Sequence, residues 1–161
     1  MNPTILEIQV RYQETDQMGR VYHGNYFTWY DMARTEYLRE HGCSYRELET
    51  AGIFFVVAET TNKYFASVAF DDQVIIKTYL TELRAVTVRF RYEVINKSTG
   101  QKVAEGTTKL GTVAKSGKIV KIPPHVFDLL QAEVAELADA RDSKSRTLYG
   151  CVGSSPTFGT K

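Results

Sequence analysis

The chain predicts an α+β fold: a curved, largely antiparallel sheet wrapped around one long central helix. Three observations predict it. The segment "NYFTWYDMARTEYLRE" (25 to 40) has helical periodicity, with an apolar arc too wide for a helix lying on an exposed surface. Four strand-like segments follow it in a bunch instead of alternating with helices. The 161 residues, 43% of them hydrophobic, suit one domain with a sizeable core.

Each element has its own signal. "ILEIQVRYQ" (5 to 13) alternates Leu6, Ile8, Val10 and Tyr12 with Glu7, Gln9, Arg11 and Gln13, so it reads as a half-buried first strand. In the long helix, Phe27, Tyr30, Met32, Ala33, Tyr37 and Leu38 cover the apolar arc, and Asp31 and Arg34 are expected to satisfy one another within it. Gly42 stands where a helix stop belongs. Ser44 followed by Glu47 resembles a capping box for a short helix ending near Gly52. Residues 53 to 65, 72 to 80, 86 to 95 and 102 to 114 read as strands. The third is the clearest, with Val86, Val88, Phe90, Tyr92 and Val94 on one face. "NKSTG" (96 to 100) is its hairpin turn, and a C-terminal helix begins at "HVFDLLQAEVAEL" (125 to 137), after a proline pair.

The last stretch, residues 134 to 161, is different in kind. It has little periodicity and many small polar residues, and is expected to be disordered. "AELADA" (135 to 140), "DSKS" (142 to 145) and "GSSP" (153 to 156) can be encoded, in that order, by a leucine-type D-arm, an anticodon loop and a T-arm. The tail is therefore expected to be non-native read-through into a transfer RNA gene, with a natural flexible tail as the alternative. The nucleotide sequence decides: codons 135 to 156 must fold as a cloverleaf.

Several function classes are disfavoured. A net charge of +1 gives no electrostatic reason for nucleic acid or an anionic membrane as partner. Cys43 and Cys151 have neither metal nor framework spacing, and fit a reducing compartment. The N-terminus lacks a basic segment followed by an apolar one, and no apolar run approaches about 18 residues. A cytoplasmic protein with no membrane span is expected. There is no glycine-rich phosphate loop, and the three histidines are widely separated, so neither a cofactor nor a metal is expected. His41 and His125 stand alone at helix ends, where capping or surface roles suffice.

The chemistry is expected in "ETDQMGRVYHGNY" (14 to 26). Asp16 either shapes a turn before the helix or is a reacting carboxylate. Gly19 suits a positive φ. The first turn of the following helix offers unpaired N–H groups and a positive dipole end, which can stabilise a developing oxyanion.

Asp16, Gly19, Val21, Tyr22 and the pair Asn25-Tyr26, followed by "DMARTEYL" and later by "YFASVAFDDQVIIKT", resemble the 4-hydroxybenzoyl-CoA thioesterase-like family of hotdog-fold acyl-CoA thioesterases. The resemblance covers about residues 3 to 133 and implies a hotdog thioesterase domain at 1 to 133. It implies hydrolysis of an acyl-CoA to a free acid and CoA, with Asp16 as nucleophile or general base. It places the oxyanion donor at the backbone of His23, with Gly24 beside it; whether the His23 ring also assists the leaving group stays open. Asn25 orients Asp16 or caps the helix, and Glu59 either holds water or is a plain strand residue. Tyr22 and Tyr26 are candidate substrate contacts, and Arg84 is the candidate for the CoA phosphates, ahead of Arg89, Arg91 and Lys63. The family pairs edge to edge, so a homodimer is expected, with a tetramer of two dimers as an option and the site at the dimer interface. "VTVRFRYEVI" and its neighbours would otherwise leave exposed edges. Two alternatives remain: action on acyl carrier protein thioesters, or a non-catalytic acyl-thioester-binding module.

Overall fold

A computed structural model describes residues 3–132 and 134. In chain order it holds β1 (Thr4–Gln9), α1 (Asn25–Glu40), α2 (Tyr45–Thr50), β2 (Ile53–Tyr64), β3 (Gln73–Arg84), β4 (Thr87–Asn96) and β5 (Lys102–Ala114). Residues 124–132 form a further helix. The five strands make one antiparallel sheet in the order β1-β3-β4-β5-β2, so the fold is α+β as expected. The expected tail, apart from residue 134, lies outside the described residues, and so does Cys151.

α1 spans the residues its apolar arc predicts. Trp29, Tyr30, Ala33, Tyr37 and Leu38 are all buried, whereas Met32, expected in the same arc, faces outward and is exposed. The Tyr30 ring stacks on Tyr92 of β4 with centroids 4.3 Å apart, and Tyr37 meets Phe90 edge-on at 5.3 Å. Tyr30 also lies against Gly106 of β5, where a Cβ would stand 2.5 Å from its ring; only glycine lets the helix approach so closely. The helix ends in a Schellman motif. Gly42, at φ +72°, donates to the Arg39 carbonyl (3.1 Å), and Cys43 N–H donates to the Leu38 carbonyl (2.8 Å).

The alternation in β4 is also realised, with Val88, Phe90, Tyr92 and Val94 inward. Other expectations need correction. The first strand stops at Gln9, and Tyr12 is 77% exposed, because residues Tyr12–Glu14 turn into a single 3-10 turn. β3 runs to Arg84, not to residue 80, because a bulge between Leu80 and Glu82 lets its ladder with β4 continue. Ser44 is the N-cap of α2 by position, but its side chain makes no cap hydrogen bond. Arg34 does pair with Asp31 and donates to the Tyr45 hydroxyl (2.8 Å), yet its buried Nη1 has no partner among the described residues. "VTVRFRYEVI", expected to need edge cover, falls on β4 in the sheet interior; the edges are β1 and β2.

Candidate active site

Between β1 and α1 the chain forms a narrow loop with an antiparallel stem. Tyr22 N–H donates to the Glu14 carbonyl (2.9 Å), Thr15 bridges Val21, and Asp16 N–H donates to the Arg20 carbonyl (2.7 Å). At the tip, Gly19 sits at φ +71°, in the left-handed region that favours glycine, and its N–H reaches the Asp16 carbonyl (2.9 Å). The Asp16 side chain completes the turn: Oδ1 accepts from Met18 N–H (2.8 Å) and Arg20 N–H (3.3 Å). Oδ2 accepts no hydrogen bond among the described residues. Both readings of Asp16 are thus compatible, since one oxygen shapes the turn and the other is available.

The loop leads directly into α1. Gly24 is its N-cap, already helical at φ −66°, ψ −26°. Asn25 N–H donates to the Tyr22 carbonyl (2.9 Å) and Phe27 N–H to the Gly24 carbonyl (3.2 Å). The N–H groups of His23 and Gly24 donate to nothing among the described residues, so the positive end of the helix dipole carries vacant donors. A Cβ on Gly24 would stand 2.7 Å from the Tyr22 ring.

Asp16, His23 and Tyr26 share the wall of one open cavity of ≈ 460 Å³ with Arg20, Tyr64 and Phe65. Tyr26 is only 2% exposed, and burial, reinforced by Tyr64, pushes its phenol up to about 12, so it stays neutral at physiological pH. Tyr64, at the end of β2, donates its hydroxyl to the His23 carbonyl (3.0 Å) and meets the Tyr26 ring edge-on at 5.2 Å. This contact spans 41 residues of sequence, and no local pattern marks it.

The other candidates fall elsewhere. The Tyr22 ring packs on the His23 ring (4.3 Å) outside the cavity wall. Asn25 neither caps the helix nor reaches Asp16; its Nδ2 donates to the Glu14 carbonyl (2.7 Å). Glu59 lies on the exposed middle of β2, paired with Arg89 (3.3 Å). Arg84 is ion-paired with Glu82 at the end of β3 opposite the segment that ties to the Asp16 loop, so it does not line this cavity in its own chain. A smaller cavity of ≈ 80 Å³ sits between α2 and the C-terminal helix, lined by Cys43, Leu48 and His125. Burial pushes the Cys43 thiol up to about 11, which leaves little thiolate for nucleophilic chemistry there. Among the described residues, no three His, Cys, Asp or Glu side chains group as metal ligands, and no helix is long and apolar enough to cross a membrane.

Glu14 went unnoticed in the sequence. It is 3% exposed and is the buried carboxylate at the foot of the loop. Its Oε1 accepts from Arg11 Nη2 (2.8 Å) and Trp29 Nε1 (3.0 Å), and its Oε2 from Arg11 N–H (2.8 Å). One signal could have found it: Trp29 lies on a helix read as buried, and a buried indole N–H needs an acceptor.

The chain as a whole is similar to known thioesterases. The acyl-CoA thioester hydrolase YbgC of Escherichia coli O6:H1 is 37% identical over 98 residues, 60% of this chain and 73% of that protein. The structure of a DHNA-CoA thioesterase from Staphylococcus aureus superposes with a TM-score of 0.75 at 30% identity, covering 90% of this chain and 96% of that one. A hypothetical protein from Thermus thermophilus superposes with a TM-score of 0.77 at 33% identity, covering 81% of this chain and 98% of that one. Residues 10–130 match the model of the thioesterase-like superfamily, and the chain belongs to that superfamily.

Proposed function

We propose that the protein is an acyl-CoA thioesterase, releasing a free carboxylic acid and CoA, with Asp16 as its reacting carboxylate. The observation that carries this reading is the meeting of the unengaged Asp16 Oδ2 and His23 on one cavity at the N-terminus of α1. A thioester carbonyl bound there would develop negative charge toward the vacant N–H groups of His23 and Gly24. Asp16 acts in one of two ways. It attacks the carbonyl carbon, expels CoA as thiolate and forms an acyl-aspartyl anhydride that water then opens. Otherwise it takes a proton from a water that attacks directly. In either route the sulfur leaves readily, since a simple thiol has a pKa of about 8.5.

Several finer assignments belong to the same proposal. Residues 1 to 133 form the thioesterase domain, a hotdog arrangement in which the sheet curves about α1 as its central helix. Tyr26, on the cavity wall, contacts the substrate, and Tyr22, outside that wall, backs the His23 ring instead. Two chains pair through β2, a 12-residue edge strand with Val56 and Val57 exposed, because so long an unpaired edge invites a partner strand. That pairing would bring the partner strand beside Tyr64 and the cavity, and Arg84 would meet the phosphates of CoA across the dimer. A cytoplasmic setting suits the free thiol of Cys43.

The test is a panel of CoA and acyl carrier protein thioesters with thiol detection, run on wild type and Asp16→Asn. Turnover of CoA thioesters by wild type and its collapse in the variant is the expected result. Substantial activity surviving in Asp16→Asn would remove Asp16 from the mechanism, and binding without turnover by wild type would leave an acyl-binding module. Light scattering checks the pairing: a monomer at micromolar concentration contradicts the β2 dimer.

A further inference from the structure

Glu14 is a buried carboxylate that the proposed reaction does not use. It nevertheless ties together the segments on both sides of the Asp16 loop. Its side chain holds Arg11, two residues past the end of β1, and Trp29 in the second turn of α1. Its carbonyl holds Tyr22 N–H (2.9 Å), one residue before His23, and Asn25 Nδ2 (2.7 Å), at the first residue of α1. The Asp16 loop leaves and returns through this single residue. Asp16 lies two positions after it, on the outgoing strand of the stem, and His23 begins where the returning strand ends.

We propose that Glu14 is a positioning residue: its hydrogen bonds lock the Asp16 loop onto the start of α1 and so set where the Asp16 carboxylate stands relative to the N–H groups of His23 and Gly24. The inference rests on the thioesterase reading for its kinetic consequence, and on the hydrogen bonds alone for its geometry. Among the described residues, Arg11 is the charged group acting on the carboxylate; Trp29 and the Arg11 backbone supply its other contacts. The ionised form accepts all three donors, whereas a protonated or amide form must turn a donor toward one of them.

The experiment uses Glu14→Gln and Arg11→Met in the full chain, with circular dichroism to confirm the fold. Arg11 is largely exposed, so Arg11→Met opens no void in the core, and whichever variant keeps the wild-type spectrum carries the test. Displacement of a reacting group by about 1 Å can lower turnover roughly 10²-fold, so Glu14→Gln is expected to lose kcat on that scale, with KM within about threefold. Arg11→Met is expected to lose less at neutral pH. The acidic limb of its kcat profile should move to higher pH, because Glu14 loses the guanidinium that favours its ionised form. A merely loosened fold would not move that limb. An unchanged kcat, a loss confined to KM, or an unmoved limb in Arg11→Met overturns the proposal. If wild type hydrolyses no thioester, the functional reading fails on its own, and amide resonances decide this one. Those of Asp16, Gly19 and His23 should move in the variants, and unmoved resonances overturn it.

Discussion

Two carboxylates two residues apart, Glu14 at the foot of the loop and Asp16 at its tip, have opposite surroundings. Glu14 is buried, with both oxygens engaged by three donors. Asp16 faces a cavity, with one oxygen engaged in its own turn and the other unengaged. A carboxylate saturated with donors is held and cannot react without losing them. One that keeps an oxygen unengaged retains a lone pair for a proton or a carbon. The difference teaches how one short loop can separate two duties: in the proposed reaction the foot supplies rigidity and the tip the reacting carboxylate.

The sharpest way to break this separation is Asp16→Asn. The amide oxygen can still accept from Met18 and Arg20, so the turn persists, while a general base or nucleophile worth about 10³-fold in turnover is lost. Thioester kinetics should show that fall, and urea unfolding should show a stability change below about 0.5 kcal/mol. A large stability loss at Asp16 would mean the tip also carries the frame.

Glu14→Ala should do the reverse at the foot. It leaves the Trp29 indole and the Arg11 amide facing a void, and stranded buried donors of this kind destabilise by about 3 kcal/mol in total. Urea denaturation measures it; a loss below about 1 kcal/mol would mean that water replaces the carboxylate.

Acid sharpens the comparison further. Burial pushes the Glu14 carboxyl up, but the Arg11 guanidinium and backbone N–H, with the Trp29 indole, outweigh it and hold the group below the usual carboxylate range. Its stabilisation is therefore complete above the unfolded value of about 4.3 and is lost as pH falls through the lowered folded value. Urea midpoints from pH 6 to 3 should fall in wild type and fall less steeply in Glu14→Gln. Parallel curves would assign the acid sensitivity to other carboxylates.

The smallest effect is expected at Gly19. A Cβ there meets open space, so only the positive φ resists it, and Gly19→Ala should destabilise by about 1 kcal/mol with the cavity intact. A thermal melt beside a kinetic assay separates the two quantities.

How much of this was legible in the sequence follows from the range of each interaction. α1 was legible to its ends because aromatic periodicity and a C-terminal glycine are local signals. β4 and β5 were legible from alternation and a hairpin turn. The end of β1 was not, because Tyr12 keeps the alternating pattern while Glu14 bends the backbone beneath it. Asp16 and His23 were legible through the spacing of a motif, and the structure does place them on one cavity. Neither expectation for Asn25, capping the helix or orienting Asp16, matches its contact with the Glu14 carbonyl, since a side chain's target depends on what is packed beside it and not on its type; of the two readings of Glu59, its place on β2 beside Arg89 suits the plain strand residue.

By itself, the sequence determined most of the elements, the α+β class and the loop proposed to carry the chemistry. These follow from side-chain periodicity and turn chemistry within a dozen residues. Tertiary structure alone decided the strand order, which puts β4 inside and β2 at the edge, and the contact that brings Tyr64 to His23. It also decided that Glu14 is buried while Asp16 is not. The physical reason is that burial and hydrogen-bond partnership are set by which surfaces meet, and the surfaces around this loop come from α1, the end of β2 and the residues that follow it, up to about 50 positions away along the chain.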